Sequence, residues 1–404
     1  MRDASAGAPS LLRTGLVLGL LSTLGPLAID LYLPAFPTIG RQLHASPGEV
    51  QRSLSIYFLA IAAGQIPWGS IGDRYGRKPP LYAGVAMFIA ATIGCAMVRD
   101  AGALIVLRFV QGFGVCAATS VSRAVIRDLY TGHQAARLLA FSYLIVGISP
   151  MLAPLAGSLL LTATGWRGLF WLLVMLGLAA FVLAAAALPE SLPRERRRPI
   201  HPRALLSTYA HLLGNQRFIA AATAAGLATT VPFSFLTAAP FLFSEGYGLT
   251  SFNYSLLLGL AAACSIGSTQ LSPNLMRRYG PRRLLRTTTL VGALLAVLLA
   301  ALALAAGLSL IALQTIIMLM FAAVGLTLTP AAVTALDAAE AAGAAAALVG
   351  TMQLAVTAVA SAALTVFAAR SPLPLALLLL AVWTAALACA VAAFAGAVSS
   401  RRMA

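Results

Sequence analysis

The decapeptide GDRYGRKPPL occupies residues 72–81, and a related decapeptide, MRRYGPRRLL, follows 204 residues later at 276–285. Both copies lie between long apolar runs of a chain in which 60% of the 404 residues are apolar and only 9% are charged. A soluble globular protein contains about 45–50% apolar and about 25% charged residues. Repeat and composition therefore predict a duplicated set of membrane helices. They exclude a soluble enzyme, a disordered chain and a disulfide scaffold.

Twelve apolar runs predict an all-α polytopic membrane protein, because twelve spans of about 20 residues fit within this length. In the first half the runs cover residues 14–34, 50–71, 79–98, 101–124, 136–160 and 166–188. In the second half they cover residues 218–242, 250–275, 284–306, 308–332, 343–369 and 373–397. An Arg-rich stretch lies between the two sets, so the predicted units are an N-terminal six-helix bundle (1–188), a linker (189–217) and a C-terminal six-helix bundle (218–404). The first run is too long for a signal peptide.

The proline spacing of the first span recurs in the seventh. Pro26 and Pro34 are eight residues apart, and Pro232 and Pro240 repeat this spacing 206 residues later. Because each half has an even number of spans, both halves cross the membrane in the same orientation. Parallel repeats of this kind are typical of transporters whose substrate site lies near the midplane between the halves.

Arginine is concentrated in the loops on one side of the membrane. That side carries both termini, the linker and the two decapeptides, whereas the opposite side carries only Arg41, Arg52, Arg99, Arg167 and Arg370. The positive-inside rule therefore predicts that both termini and the linker are cytoplasmic. We expect a multi-pass protein of the bacterial inner membrane.

The net charge of +16 does not indicate a nucleic-acid partner, because the basic residues form short clusters between apolar runs. The four cysteines lie inside apolar runs without paired spacing, so they are predicted to be core residues rather than disulfides or metal ligands. The four histidines form no metal-binding motif, and no nucleophile–base pair or phosphate-binding loop is visible. We therefore expect no metal, no cofactor and no enzymatic activity.

Four motifs resemble those of a known transporter family. GSIGDRYGRK at 69–78 resembles the GxxxDRxGRR loop of the major facilitator superfamily, and LRFVQGFG at 107–114 resembles its RxxQG motif. GISPMLAPLAG at 147–157 is similar to the fifth-span segment of its drug:proton antiporters. LGPLAIDLYLPAFPTI at 24–39 resembles the first helix of the bicyclomycin/chloramphenicol-resistance (Bcr/CflA) efflux subfamily. The resemblance implies the major facilitator fold, with two pseudo-symmetric six-helix bundles in a monomer.

Two charged residues are predicted deep within spans. Asp30 lies between Pro26 and Pro34 in the first span, where an ionised carboxylate costs about 2.5–3.5 kcal/mol on insertion scales. Burial favours the neutral form of a carboxyl group, so Asp30 is expected to bind and release a proton. Arg108 lies in the fourth span and is expected to respond to the charge on Asp30. The resemblance implies that Asp30 is the proton and cation site. A purely structural role for either residue stays open at this point.

The loop at 69–78 is expected to form a cytoplasmic gate. The resemblance implies that it latches the cytoplasmic side shut in the outward-open state, with Asp73 against the start of the eleventh span and Arg77 against Asp128. The residues assigned to this gate are Gly69, Asp73, Arg74, Gly76, Arg77 and Asp128. A basic cluster that only fixes the topology would explain neither the acid nor the glycines.

The fifth span carries a face of small residues and prolines, made by Gly147, Pro150, Pro154 and Gly157. This face serves either helix packing alone or contact with the other half, which would block passive leak. Aromatic and polar residues on the inner spans are candidates for an amphiphilic substrate cavity. They are Tyr32, Tyr57, Gln111, Tyr143, Met151, Phe233, Phe235 and Gln353.

Together these features predict a proton-coupled efflux carrier that works by alternating access. Its expected partners are protons, the lipid bilayer and lipophilic drugs, either chloramphenicol- or bicyclomycin-like or cationic. A proton-coupled exporter or importer of a small metabolite, such as a sugar or an amino-acid derivative, stays open as the alternative, because the same fold supports either direction.

Overall fold

The computed structural model describes residues 11–130, 132–197, 202–305, 308–339, 342–366 and 371–394. In the first half the helices are α1 (Leu11–Asp30), α2 (Phe36–Gln42), α3 (Pro47–Tyr75), α4 (Lys78–Met97), α5 (Ala101–Leu129) and α6 (Gly132–Ala187). The linker contains α7 (Pro202–Gly214). In the second half they are α8 (Gln216–Phe241), α9 (Ser251–Tyr279), α10 (Pro281–Leu304), α11 (Leu310–Asp337), α12 (Ala342–Val366) and α13 (Leu373–Ala392).

These helices supply the twelve expected spans. Within the described residues, eleven segments are long and apolar enough to cross a membrane, and one of them, Val146–Ala187, is 42 residues long. That segment contains two spans, because Gly165 has φ 68° and ψ 177° and interrupts α6. A positive φ is readily adopted only by glycine, so Gly165 makes the turn between the fifth and sixth spans. The expected all-α fold with twelve spans is confirmed.

Each half packs as a helical bundle. In the N-terminal half, α3 and α4 pack on α5, and α1 packs on α6; in the C-terminal half, α11 packs on α9, α12 on α8 and α10 on α13. Small residues permit the closest approaches: a methyl group added to Gly84 of α4 would overlap Ala117 of α5. The main contacts between the halves are α3 with α12 and α6 with α9, and α2 and α3 also touch α8.

The first span is broken directly after Asp30. Pro34 has no N–H group, so it cannot bond to the Asp30 carbonyl as a continuing helix would require. Helix α1 therefore ends at Asp30, a 3₁₀ turn covers Leu33–Ala35, and α2 carries the span on to Gln42. The sequence predicted a span over 14–34 whose two prolines can loosen the helix, and the structure places the break after Asp30 and extends the span to Gln42. A helix end, with its unpaired backbone groups, consequently lies inside the protein.

Candidate functional site

Asp30 is the last residue of α1 and is only 2% exposed. It is the one acidic residue classed as buried within the described residues. Its Oδ2 atom accepts a hydrogen bond of 3.0 Å from the Ser149 hydroxyl, which comes from the fifth span in α6. A buried carboxyl group needs such partners because water is absent from its surroundings. Asp30 therefore sits where the broken first span meets the fifth.

Arg108 lies in α5 and is fully buried. Its Nη1 atom donates to the Ala28 carbonyl at 3.0 Å and to Oε1 of Gln111 at 2.6 Å. The Ala28 carbonyl can accept because the Tyr32 N–H, its partner in a regular helix, bonds instead to the Ile29 carbonyl at 3.3 Å. The break in the first span thus frees the Ala28 carbonyl to accept from Arg108, and Ala28 is two residues before Asp30 in the chain.

Two tyrosine rings enclose the Arg108 guanidinium group. Its Cζ atom lies 4.1 Å from the centre of the Tyr57 ring and 4.7 Å from that of Tyr32. Each ring is fixed by its hydroxyl: Tyr57 donates to the Gly25 carbonyl at 3.2 Å, and Tyr32 bonds to Ser53 at 2.8 Å. Stacking on aromatic faces stabilises a guanidinium group in a dry environment.

Asp30 and Arg108 are not directly paired. The two ion pairs closer than 4 Å within the described residues both involve Arg77. The Nε and Nη2 atoms of Arg108 are buried and have no hydrogen-bond partner in the part of the chain that the structure describes. Arg108 therefore has donors in reserve for a group that enters this site, or for Asp30 itself after a small movement. Gln111, which holds Nη1, is in turn fixed by its own bond to Thr92 at 2.8 Å.

The two halves meet tightly at the end of the molecule predicted to face outward. Gln51 of α3 donates to the Thr237 carbonyl of α8 at 3.2 Å, and Tyr254 of α9 donates to the Leu33 carbonyl at 3.1 Å. A methyl group added to Gly48 would overlap the Thr365 carbonyl oxygen of α12. Hydrogen bonds and backbone contact together close this end.

The two main helix pairs that join the halves, α3 with α12 and α6 with α9, pack less tightly toward the predicted cytoplasmic end. Between α6 and α9, a methyl group on Gly259 would lie 3.0 Å from the Met151 carbonyl oxygen, and one on Gly147 would lie 3.9 Å from Ile266. A methyl group on Gly267, further along α9, would meet no atom within 4 Å. Between α3 and α12 the spacing grows from Gly48 to Gly350, where Gln65 would be 4.0 Å away. The described conformation is therefore closed outside, and its halves are more loosely packed, here called splayed, toward the predicted cytoplasmic end.

The loop after α3 is organised around Arg77. Its guanidinium group donates to Asp128 at 2.7 Å through Nε and to Asp73 at 2.7 Å through Nη1. Burial opposes the charge of Arg77, but the hydrogen bonds and charges of Asp128 and Asp73 outweigh it and raise its pKa above the ordinary arginine value. Asp73 remains 57% exposed in its side chain. Among the described residues its ion-pair partner is Arg77 of its own half, as expected when the cytoplasmic end is splayed.

Glu190 is a member of this loop that the sequence reasoning missed. It follows the sixth span, and its carboxylate accepts the backbone N–H groups of Arg77 at 2.8 Å and Lys78 at 3.2 Å. These N–H groups begin α4, where negative charge is favourable. Ser191 adds a bond of 3.1 Å to Asp128. No local pattern in the segment Leu188–Ser191 signals this contact, because Glu190 reaches the start of α4 from 113 residues away.

The other expected gate residues surround this network. Gly76 has φ 96°, a conformation that favours glycine, and a methyl group there would lie 2.6 Å from Glu190. Gly69 has open space around it, and the Arg74 guanidinium group lies 5.1 Å from the centre of the Tyr75 ring. Gly76 is thus required by the backbone turn, whereas Gly69 lies at the splayed face.

The fifth-span residues contact both halves. A methyl group on Gly157 would lie 2.5 Å from the Leu31 carbonyl oxygen, so this glycine admits the broken first span. Gly147 and the backbone of Met151 face α9 of the other half. Pro150 and Pro154 lie between Gly147 and Gly157 in α6. This face therefore combines packing against α1 with contact between the halves.

The remaining cavity candidates do not all lie together. Phe233 contacts Phe58 across the halves, with ring centres 4.7 Å apart. Gln353 is half-buried on α12 beside Gly226 of α8. Phe235, by contrast, is fully buried against Phe243 and Phe321, so the structure places it in the core of the C-terminal half. The side chain of Tyr143 lies outside the described part of the chain.

These features define a membrane carrier with two related helical bundles and a charged site in the first. The chain belongs to the Major Facilitator Superfamily, whose family model matches residues 18–361. Its fold is similar to that of a D-xylose–proton symporter, with a TM-score of 0.74 over 95% of this chain and 97% of that one. The identity to that protein is 16%, so this likeness concerns the fold alone.

Several curated relatives are more similar in sequence. The chain is 34% identical to an uncharacterized MFS-type transporter, YdgK, of Bacillus subtilis, over 60% of this chain and 61% of that protein. It is 28% identical to a bicyclomycin resistance protein homolog of Haemophilus influenzae, over 67% and 68% of the two chains. It is 30% identical to the multidrug resistance protein MdtL of Escherichia coli, over 65% and 66%. The matches thus span about two thirds or less of the relatives' lengths.

Proposed function

We propose that the chain is a proton-coupled exporter of lipophilic drugs, of the Bcr/CflA type, that works by alternating access in the bacterial inner membrane. The observation that carries this proposal is the placement of Asp30. It is a deeply buried carboxyl group at a helix break, two residues from the carbonyl that holds a buried arginine. An ionisable group at this depth is expensive unless function requires it.

Asp30 and Arg108 would couple protons to the drug as follows. When Asp30 carries a proton it is neutral, and the Ser149 hydroxyl suffices as its partner. Arg108 then stays on the Ala28 carbonyl, Gln111 and the two tyrosine rings, which is the described arrangement. When the proton leaves, the carboxylate attracts the unpartnered Nε and Nη2 groups of Arg108. That movement would pull the first and fourth spans together.

The splayed cytoplasmic end fits the step in which a drug enters. A carrier closed outside and open inside releases its proton to the cytoplasm and takes up its substrate there. Asp73, exposed in this state, would engage the other half when that end closes. Substrates entering from the cytoplasm would meet an amphiphilic wall that includes the half-buried Met151, Phe233 and Gln353. Such a wall suits neutral or cationic lipophilic compounds better than polyanions.

The names of two relatives support a drug as the substrate. One is called a bicyclomycin resistance protein homolog and the other a multidrug resistance protein. The first-helix motif at 24–39 supports the Bcr/CflA assignment. The distribution of arginine supports cytoplasmic termini. Transport of a small metabolite stays the alternative, and direct measurement of flux separates the two.

Drug accumulation in an efflux-deficient bacterial host tests the proposal. Cells that express the chain should accumulate less ethidium or chloramphenicol than control cells, and a protonophore should abolish the difference. Asp30→Asn should accumulate drug like the control cells at equal membrane expression. Asp337→Asn removes an acid at the end of α11 and should export normally. Unchanged accumulation of both compounds in wild-type cells would refute drug export, and uptake assays with sugars and amino acids would follow.

A further inference from the structure

A cavity of about 490 Å³ lies between α9, α10 and α11, away from the site around Asp30. Its walls include Leu275, Leu284, Val291, Leu295, Leu319 and Leu326. Val291 and Leu319 are 49% and 51% exposed at its rim. Apolar side chains that are exposed to this extent on membrane helices face lipid, so the cavity is a groove that opens to the bilayer.

The hydroxyl groups of the two threonines in this groove are both hydrogen-bonded. The Thr287 hydroxyl bonds to the Arg283 carbonyl at 2.9 Å, and the Thr288 hydroxyl bonds to the Leu284 carbonyl at 3.0 Å. Each threonine therefore presents mainly its methyl group. The groove is suited to a hydrocarbon chain.

One end of the groove is strongly basic. Helix α9 ends and α10 begins at Gly280, whose φ of 77° makes the turn, and four arginines lie within three residues of it. Arg283 and Tyr279 line the groove at this end. The Tyr279 ring holds two guanidinium groups, with the Cζ atoms of Arg278 and Arg283 at 5.3 and 5.8 Å from its centre. Arg283 therefore lies at the mouth of the groove, and Arg278 lies beside the same tyrosine ring.

Within the described residues, Arg278 and Arg283 have no acidic partner closer than 4 Å. Both ion pairs found within the described part of the chain involve Arg77, on the other half of the molecule. The first N–H groups of α10 add a positive potential at the same place. Arg282 belongs to the same turn but points away from the groove. Its Cζ atom lies 5.9 Å from the centre of the Phe394 ring, on the other side of α10.

We propose that this groove binds one anionic phospholipid. Its phosphate would lie between Arg278 and Arg283, and one acyl chain would lie along the leucines of α10 and α11. Guanidinium groups bind phosphate oxygens through paired hydrogen bonds. Basic pockets between membrane helices on the cytoplasmic side are suited to anionic headgroups, and the arginine distribution predicts that this turn is cytoplasmic. The proposal does not depend on the substrate of the carrier.

Native mass spectrometry of the purified full-length chain tests the proposal. Phosphatidylglycerol and phosphatidylcholine with identical acyl chains are added in turn to delipidated protein. The wild type should retain one phosphatidylglycerol with clear preference over phosphatidylcholine. Arg283→Gln should weaken this binding about five-fold, the effect of one arginine near an anionic lipid. Arg282→Gln removes the same charge from the same turn and should weaken it less than about two-fold.

A second variant separates the acyl chain from the headgroup. Ala322→Phe fills the groove and leaves every arginine in place, so it should also weaken binding of phosphatidylglycerol. Glycerol 3-phosphate, which has the phosphate without the chains, should not compete. Equal retention of the two lipids, equal effects of Arg282→Gln and Arg283→Gln, or full competition by glycerol 3-phosphate would each overturn the proposal.

Discussion

Replacement of Gly48 by alanine should open the outer end of the molecule. The added methyl group would overlap the Thr365 carbonyl oxygen, and both atoms belong to helix backbones that cannot turn away as a long side chain can. Overpacking of this kind costs about 1–3 kcal/mol. Because α3 and α12 separate at this end when the carrier opens outward, the cost falls on the described conformation only.

The magnitude follows from the two-state equilibrium between inward- and outward-open forms. A differential free energy of about 1–3 kcal/mol changes such an equilibrium about 5- to 150-fold. Gly48→Ala should therefore convert a protein that is mostly closed outside into a mixture or a mostly outward-open form. Drug binding from the cytoplasmic side should weaken in the same proportion, because fewer molecules are in the competent state.

Electron–electron distance measurements between spin labels at Arg41 and Phe252 would detect the change. Both residues are exposed and lie on different halves at the outer end. The four native cysteines are first replaced. Gly343→Ala is the matched control, because a methyl group there meets no atom within 4 Å. If Gly48→Ala leaves the distance distribution unchanged, or Gly343→Ala widens it equally, the assignment of the closed outer end is wrong.

Three further changes test the charged sites. Arg108→Lys keeps the charge but lacks the planar group that bonds both the Ala28 carbonyl and Gln111. Drug-induced proton release should therefore fall at least ten-fold while the protein stays inserted in the membrane. Normal proton release would show that Arg108 has no role in coupling. Asp73→Asn should slow turnover in vesicles more than it weakens drug binding, and equal turnover would refute a gate role. Glu190→Ala leaves the first N–H groups of α4 without their carboxylate, at a cost of about 1–2 kcal/mol. Its melting temperature should drop relative to Glu195→Ala, an exposed acid of the same linker, and equal melting would contradict the cap.

The sequence was sufficient to predict the membrane class, the twelve spans and the repeat, because apolar runs and arginine positions are local signals. It was also sufficient to predict that Asp30 and Arg108 are buried, since charge is rare in membrane helices; their role in coupling stays a prediction. Their relation was not predictable in detail. The sequence suggested attraction between Arg108 and an ionised Asp30, directly or through water, whereas Arg108 in the structure bonds to the Ala28 carbonyl that the helix break leaves free.

Long-range partners account for what the sequence left out. Ser149 reaches Asp30 from 119 residues away, and Glu190 reaches the start of α4 from 113 residues away. No local pattern specifies such pairs, because they depend on how the bundle packs. Phe235 illustrates the converse: its aromatic type suited a cavity wall, but its helix face turns into the core of the C-terminal half.

Drug flux into proteoliposomes under an imposed pH gradient tests the central claim most directly. Wild-type protein should concentrate drug when the gradient is applied, whereas Asp30→Asn should not respond to the gradient although it still binds drug. Asp337→Asn should behave as the wild type. Gradient-driven accumulation by Asp30→Asn equal to that of the wild type would contradict the account, because no other acid is buried within the described spans.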